Sequence, residues 1–144
     1  MRDKRQIKVC LTPALFPLYA DRKSIVVVVD VLRATSAMCT AFHYGMNKII
    51  PVSTVEEALE YRDVESHILA AERNGKQVRG FDFGNSPLQY QDHDVKGKTL
   101  VMTTTNGTKA INIAKRDHQV VIGSFLNIDA LSDWLAKQNK DIVV

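Results

Sequence analysis

Five consecutive apolar residues, Ile25 to Val29, run without a polar break and end at a carboxylate, Asp30. A strand with one face in water alternates apolar and polar side chains. An unbroken β-branched run instead marks a strand covered on both faces, as in a parallel sheet flanked by helices. Arg33 follows, then Thr35 and Ser36 where a helix should begin; Ala37, Met38, Ala41 and Phe42 fall on one helical face before Gly45. Asp30, Arg33, Thr35 and Ser36 therefore occupy a tight turn between a buried strand and a helix N-terminus. In α/β proteins ligands bind in such turns, and the free N–H groups of the helix favour an anion.

The same order recurs downstream. Lys48 to Val52 reads as a strand, and Thr54 with Glu57 as a capping box opening a helix whose inner face is Val55, Ala58 and Leu59. His67 to Ala71 reads as another strand, ending at Glu72; Asn74-Gly75 predicts a hairpin turn. Gly80 to Pro87, GFDFGNSP, is too rich in turn formers for regular structure. Thr99 to Met102, Gln119 to Ile122 and Asp141 to Val144 are strands in the same reading. Helices lie over Ala110, Ile111 and Ala114, and over Ile128, Leu131 and Leu135, the second capped by Asn127. Ahead of all these, Ile7 to Leu11 reads as a strand and Pro13 to Pro17 as a loop.

One constant shift lays Asp30 on Thr103, Thr35 on Thr108, Ala41 on Ala114, Ile49 on Ile122 and Thr54 on Asn127. The expectation is a single α/β domain over residues 1–144, built from two similar strand-turn-helix-strand-helix-strand halves at roughly 25–72 and 98–144. The same shift sets Ala71 opposite Val144, so the domain reads as incomplete, truncated in mid-strand just before the position that would answer Glu72.

Composition excludes several classes of function. A net charge of +3, with Arg2, Lys4, Arg5 and Lys8 crowded at the start, is too weak and too local for a nucleic-acid surface. No apolar run approaches membrane-spanning length, and Asp3, Pro13 and Pro17 break up the resemblance of the first residues to a signal peptide. Cys10 and Cys39 read as buried reduced thiols, which with the missing leader indicates a cytoplasmic protein. The histidines at 43, 67, 93 and 118 lack metal spacing and read as surface residues, and Asp92-His93-Asp94 reads as a solvated turn.

Three polar clusters follow apolar strands: Asp30 to Ser36; Glu72-Arg73 with Asp82, Asn85 and Ser86; and Thr103 to Thr108. Turns after parallel strands converge on one edge, so the clusters can meet. Carboxylate oxygens suit Mg²⁺ sharing its shell with a phosphate, and arginine suits the phosphate itself. The combination favours phosphoryl chemistry on a small anionic phosphorylated substrate. Each cluster also has a plainer explanation, in strand ends, turn formers and helix caps, and a non-catalytic anion-binding module stands as the alternative.

DVLRATSA at 30–37, ERNGKQVRGFDFGNSP at 72–87, TTTNGT at 103–108 and GSFLN at 123–127 closely resemble the 2-phosphosulfolactate phosphatase family. The resemblance implies a three-layer α/β/α fold with a mixed, largely parallel sheet, and a chain longer than this one. It implies a Mg²⁺-dependent phosphatase hydrolysing 2-phospho-3-sulfolactate to sulfolactate and phosphate, on a route to coenzyme M; this stretch alone could be an inactive fragment of it. On that footing Asp30, Glu72 and Asp82 are assigned to the metal and Arg33 and Arg73 to phosphate or sulfonate. Thr35, Ser36, Asn85, Ser86, Thr104 and Asn106 are assigned as neutral donors to the substrate. A homo-oligomer is compatible with all of this.

Overall fold

The computed structural model describes residues 5–19, 21, 23–91 and 93–144. The class is the expected three-layer α/β/α, largely parallel. The first half runs β2 (Ile25–Val29), α2 (Ala34–His43), β3 (Lys48–Pro51), α3 (Val55–Leu59) and β4 (His67–Arg73). The second runs β6 (Thr99–Thr103), α4 (Gly107–Ala114), β7 (Gln119–Gly123), α5 (Ile128–Ala136) and β8 (Ile142–Val143). Ahead of them lie β1 (Ile7–Lys8) and α1 (Phe16–Tyr19), and between them β5 (Lys76–Gln77).

The strands divide between two four-stranded sheets, ordered β1-β8-β2-β7 and β3-β6-β4-β5. Each half lends its first strand to the other: β2 lies between β8 and β7, and β6 between β3 and β4, all parallel. Among the described residues only the β4–β5 hairpin is antiparallel. The strand register also corrects the constant shift at the third strand. His67 pairs with Thr99 while Val143 pairs with Val26, so Val144 answers Ile68 rather than Ala71. Connections of unequal length explain the slip, because pairing fixes register and loops absorb the difference.

Alternate residues of the buried runs face opposite ways, which sorts them into two cores. Val26 and Val28 join Ile68, Ala70, Leu100 and Met102 around Ala37, Met38 and Ala41 of α2 and Ile111 and Ala114 of α4. Leu69, Ala71 and Val101 face the other way, onto Val52, Phe81 and Ala58 of α3. Thr54 caps α3 as expected, its hydroxyl accepting from Glu57 N–H at 3.0 Å, while the Glu57 carboxylate accepts from Ser53 N–H at 2.8 Å.

Other expectations are corrected. Phe42 is 51% exposed, because the buried stripe of α2 is Ala34, Ala37, Met38 and Ala41, and Phe42 lies one position past it. Ile128 is also 51% exposed; it opens α5, whose Leu131, Trp134 and Leu135 are only half-buried. Asn127 does not cap α5 with its side chain. Its Oδ1 turns back to accept from Ser124 N–H at 2.9 Å, closing a capping box on the short 3₁₀ turn Phe125–Asn127. The Pro13–Pro17 stretch is helical rather than loop, and the first strand is only Ile7–Lys8. Cys10 and Cys39 are free and half-buried rather than buried. His67 and His118 are half-buried too, stacked on Tyr61 and set edge-on to Phe16 respectively. Asp92 lies outside the described residues.

The hairpin turn has φ of 55° at Asn74 and 78° at Gly75, the left-handed pair of a type I′ turn. An alanine at Gly75 meets no atom within 4 Å, so its cost is conformational, roughly 1–2 kcal/mol. Chemical denaturation of Gly75→Ala checks that figure; unchanged stability contradicts it.

Candidate active site

Asp30 ends β2 and sits half-buried beside the first turns of two helices. Its carboxylate accepts from the backbone N–H groups of Ala34 and Arg33. Burial nevertheless raises its pKa above the ordinary 3.8, with the nearby Glu72 carboxylate adding to the rise and Arg33 opposing it. Its Oδ2 also lies against the α carbon of Gly107, the first residue of α4: a Cβ built there stands 2.8 Å from Asp30 Oδ2 and 2.4 Å from Ala34 Cβ. Asp30 is thus aimed at a helix N-terminus, where negative charge is favoured.

Glu72 is the other acid of the pair. It is only 7% exposed, its Oε1 accepting from Gly75 N–H at 2.5 Å and its Oε2 facing the Thr105 hydroxyl at 3.4 Å. The type I′ turn links the clusters, since the Gly75 carbonyl accepts from Arg33 Nη2 at 3.1 Å. Arg73 is braced on the second-half loop: Nη1 donates to the Glu72 carbonyl at 2.7 Å and Nη2 to Thr103 Oγ1 at 3.0 Å. Asp30, Arg33, Glu72 and Arg73, with the loop Thr103–Thr108, therefore share one rim, though they come from both sheets.

Asp82 does not join them. Segment 81–83 runs beside β4, with Phe83 bridged to Ala70, and this holds Asp82 level with Leu69. Asp82 Oδ2 accepts from Leu69 N–H at 2.8 Å and its own N–H donates to the Leu69 carbonyl at 3.0 Å. Level with Leu69, it sits about 10 Å back along the strand from Glu72. Among the described residues no group of three His, Cys, Asp or Glu side chains is placed to hold a metal ion. Asp82 is accordingly set apart from Asp30 and Glu72. Asp30 and Glu72 are hard oxygen donors whose like charges oppose each other, a pair that suits Mg²⁺ completing its shell with water and phosphate.

The assigned neutral donors divide. Thr35 is fully buried, its Oγ1 accepting from Asp30 N–H at 3.1 Å, and Ser36 Oγ donates to the Val31 carbonyl at 2.8 Å, so both hold the turn in shape. Thr104 and Thr108 do the same for the second turn, each hydroxyl accepting the other's N–H at 3.0–3.1 Å. Thr35 and Thr108, which the constant shift superposes, thus accept an N–H from the strand end of their own half. Asn106 is exposed, Ser86 is half-buried and makes no side-chain cap, and Asn85 is 5% exposed with its Oδ1 lacking a donor.

Residues 10–144 match the family described as 2-phosphosulpholactate phosphatase. The chain belongs to that family. A "Probable 2-phosphosulfolactate phosphatase" of Caldanaerobacter subterraneus subsp. tengcongensis is 47% identical over 122 residues, covering 83% of this chain and 51% of the relative. One of Clostridium acetobutylicum is 48% identical over 122 residues, covering 82% and 51%. One of Thermotoga maritima is 46% identical over 118 residues, again covering 82% and 51%. The chain thus spans about half the length of the curated relatives it matches.

For this member of the family, Gly75, Thr105 and Gly107 stood in the sequence within the expected hairpin turn and the Thr103 to Thr108 cluster, without individual roles. Gly107 had one visible signal. The constant shift superposes it on Ala34, and both positions are small because the two meet face to face where the halves adjoin. No helix of the described chain is long and apolar enough to cross a membrane.

Proposed function

We propose that the full-length protein is a cytoplasmic Mg²⁺-dependent phosphatase that hydrolyses 2-phospho-3-sulfolactate to sulfolactate and phosphate. The observation that carries this reading is that Asp30, set against the N-terminus of α4, feels the charge of Glu72, while Arg33 bonds to the turn that Glu72 caps and Arg73 is braced on Thr103. Bound there, Mg²⁺ would neutralise charge on the phosphoryl oxygens and lower the barrier to displacement. The protein's own groups do the rest. Arg33 and Arg73 present planar N–H forks to anionic oxygens, and Arg73 is already oriented by its two internal hydrogen bonds. Hydrolysis breaks the bond between phosphorus and the ester oxygen, takes one water, and returns the alcohol with inorganic phosphate. Asp30, at a helix N-terminus with raised proton affinity, can either attack phosphorus or accept the proton of an attacking water; oxygen-isotope exchange separates these routes.

The test is phosphate release from phosphosulfolactate by the full-length protein, with Mg²⁺ and with chelator. No release with metal present sinks the proposal. Metal-indifferent phosphate binding that survives Asp30→Asn would instead favour a non-catalytic anion-binding module. Asp82→Asn supplies the control: its carboxylate caps a strand edge, so the variant loses about 1 kcal/mol of stability and keeps its rate within a few-fold. A rate loss like that of Asp30→Asn would return Asp82 to the site.

A further inference from the structure

β2 and β6 hold equivalent places in the two sheets, but their edges are not equally covered. β6 is paired by β3 as far as Met102 and by β4 as far as Thr103, and β4 runs on to bring Glu72 and Arg73 to the rim. β2 is paired by β7 through Val29, whereas its ladder with β8 stops at Val26 opposite Val143, three residues short. Ile25 N–H donates to the Asp141 carbonyl on that side, and alternation turns the N–H and C=O of Val27 and Val29 the same way. A cavity of about 790 Å³ opens along this edge, lined by Val29 and Asp30, by Val144, and by Leu11, Phe16 and Ile113. Leu11 is 90% exposed and Val29 49%. An apolar crevice beside an unfinished ladder suits polypeptide better than a small anion.

We infer that in the full-length protein this cavity is filled by an extension of β8, supplied by the part that the curated relatives have and these 144 residues lack. The stretch shared with this chain is 51% of each of those relatives, which leaves ample length for it. At Val144 the ladder with the first strand is still running: Val144 N–H donates to the Lys8 carbonyl at 2.8 Å, and its carbonyl accepts from Cys10 N–H at 2.7 Å. The slot is thus flanked by chain on both sides and lies in line with β8, so a continuation of β8 enters it without threading. β4 shows where such a strand leads. Val144 answers Ile68, so Arg73, five residues after Ile68, is answered by the fifth residue past Val144. Arg73 bonds to Thr103, which the constant shift superposes on Asp30. The added strand therefore gives Val29 N–H an acceptor and brings a further side chain to Asp30 from the β8 side.

Two measurements on the full-length protein test this, and neither depends on catalysis. Amide exchange followed by NMR should find the Val29 N–H slowed at least about a thousand-fold relative to an unfolded chain. Leu11→Asp, at a loop position, should raise the ratio of unfolded to folded protein about thirty-fold, because the extension covers that leucine. Leu18→Asp, at a position 80% exposed and outside the cavity, should change the ratio less than about three-fold. Free exchange at Val29, or equal effects of the two substitutions, would overturn the inference. Protection of Val29 that fades on dilution would overturn it as well, and would assign the face to a second copy of the chain.

Discussion

On the proposed phosphatase reading, Asp30→Asn in the full-length protein should make it more stable near neutral pH while cutting the Mg²⁺-dependent phosphate release proposed for it by about a thousand-fold. The rate loss follows from removing one of the two carboxylates that, among the described residues, stand at the rim. The gain in stability follows from linkage. Burial raises the Asp30 pKa in the fold above its unfolded value of 3.8. Between those two values the native state holds a proton that the unfolded chain has released, so stability falls as pH rises through the window. Above the folded value the cost of the buried charge, increased by Glu72, is present in full. Asparagine carries no charge and can still accept a backbone N–H. Solvent reaches the half-buried group and screens it, so the sign rather than the size is the prediction. Thermal melts of parent and variant should diverge as pH rises from 4 to 8, with the variant the higher. A variant no more stable than its parent at pH 8 contradicts the assignment.

Gly107→Ala should damage both properties. In a helix interior alanine is favoured over glycine by about 1 kcal/mol, and less at a first position such as this. The new methyl would stand 2.4 Å from Ala34 Cβ, which cannot rotate away, and 2.8 Å from Asp30 Oδ2. Overpacking of this kind costs roughly 1–3 kcal/mol, so steric strain outweighs propensity. Relief requires the two helix starts to part, which moves Asp30 away from Glu72 and should lower the rate by about a hundred-fold. Denaturant melts and single-turnover assays read the two effects separately; a Gly107→Ala variant with parental stability and rate would show that the helix starts separate freely.

What could be read beforehand follows from the range of the interactions. Strands, capping box and type I′ turn were legible because each is written in a few neighbouring residues: an unbroken β-branched run, Thr54 with Glu57, Asn74 with Gly75. The rim was legible only in part. Asp30, Arg33, Glu72 and Arg73 end strands and meet there, but Asp82 looked equivalent because a turn-rich string does not reveal which residue of the neighbouring strand it lies against. Thr35 and Ser36 looked like substrate donors because a sequence cannot show that a hydroxyl is already committed to its own backbone. Asn127 illustrates the same limit, an apparent helix cap whose amide is spent on Ser124. The division into two sheets was out of reach, since pairing partners lie in the opposite half of the chain.

That reciprocal loan of first strands has a consequence for how the molecule comes into being. Within either half, β2, β3 and β4, or β6, β7 and β8, share no ladder with one another. Each sheet therefore waits for residues from the distant part of the polypeptide, and loop closure must precede any reward from strand pairing. The arrangement is the one obtained by fusing two small protomers that had exchanged their leading strands. A nick in the connection near Gly97 would leave two pieces, each missing its central strand, that could become ordered only in each other's company.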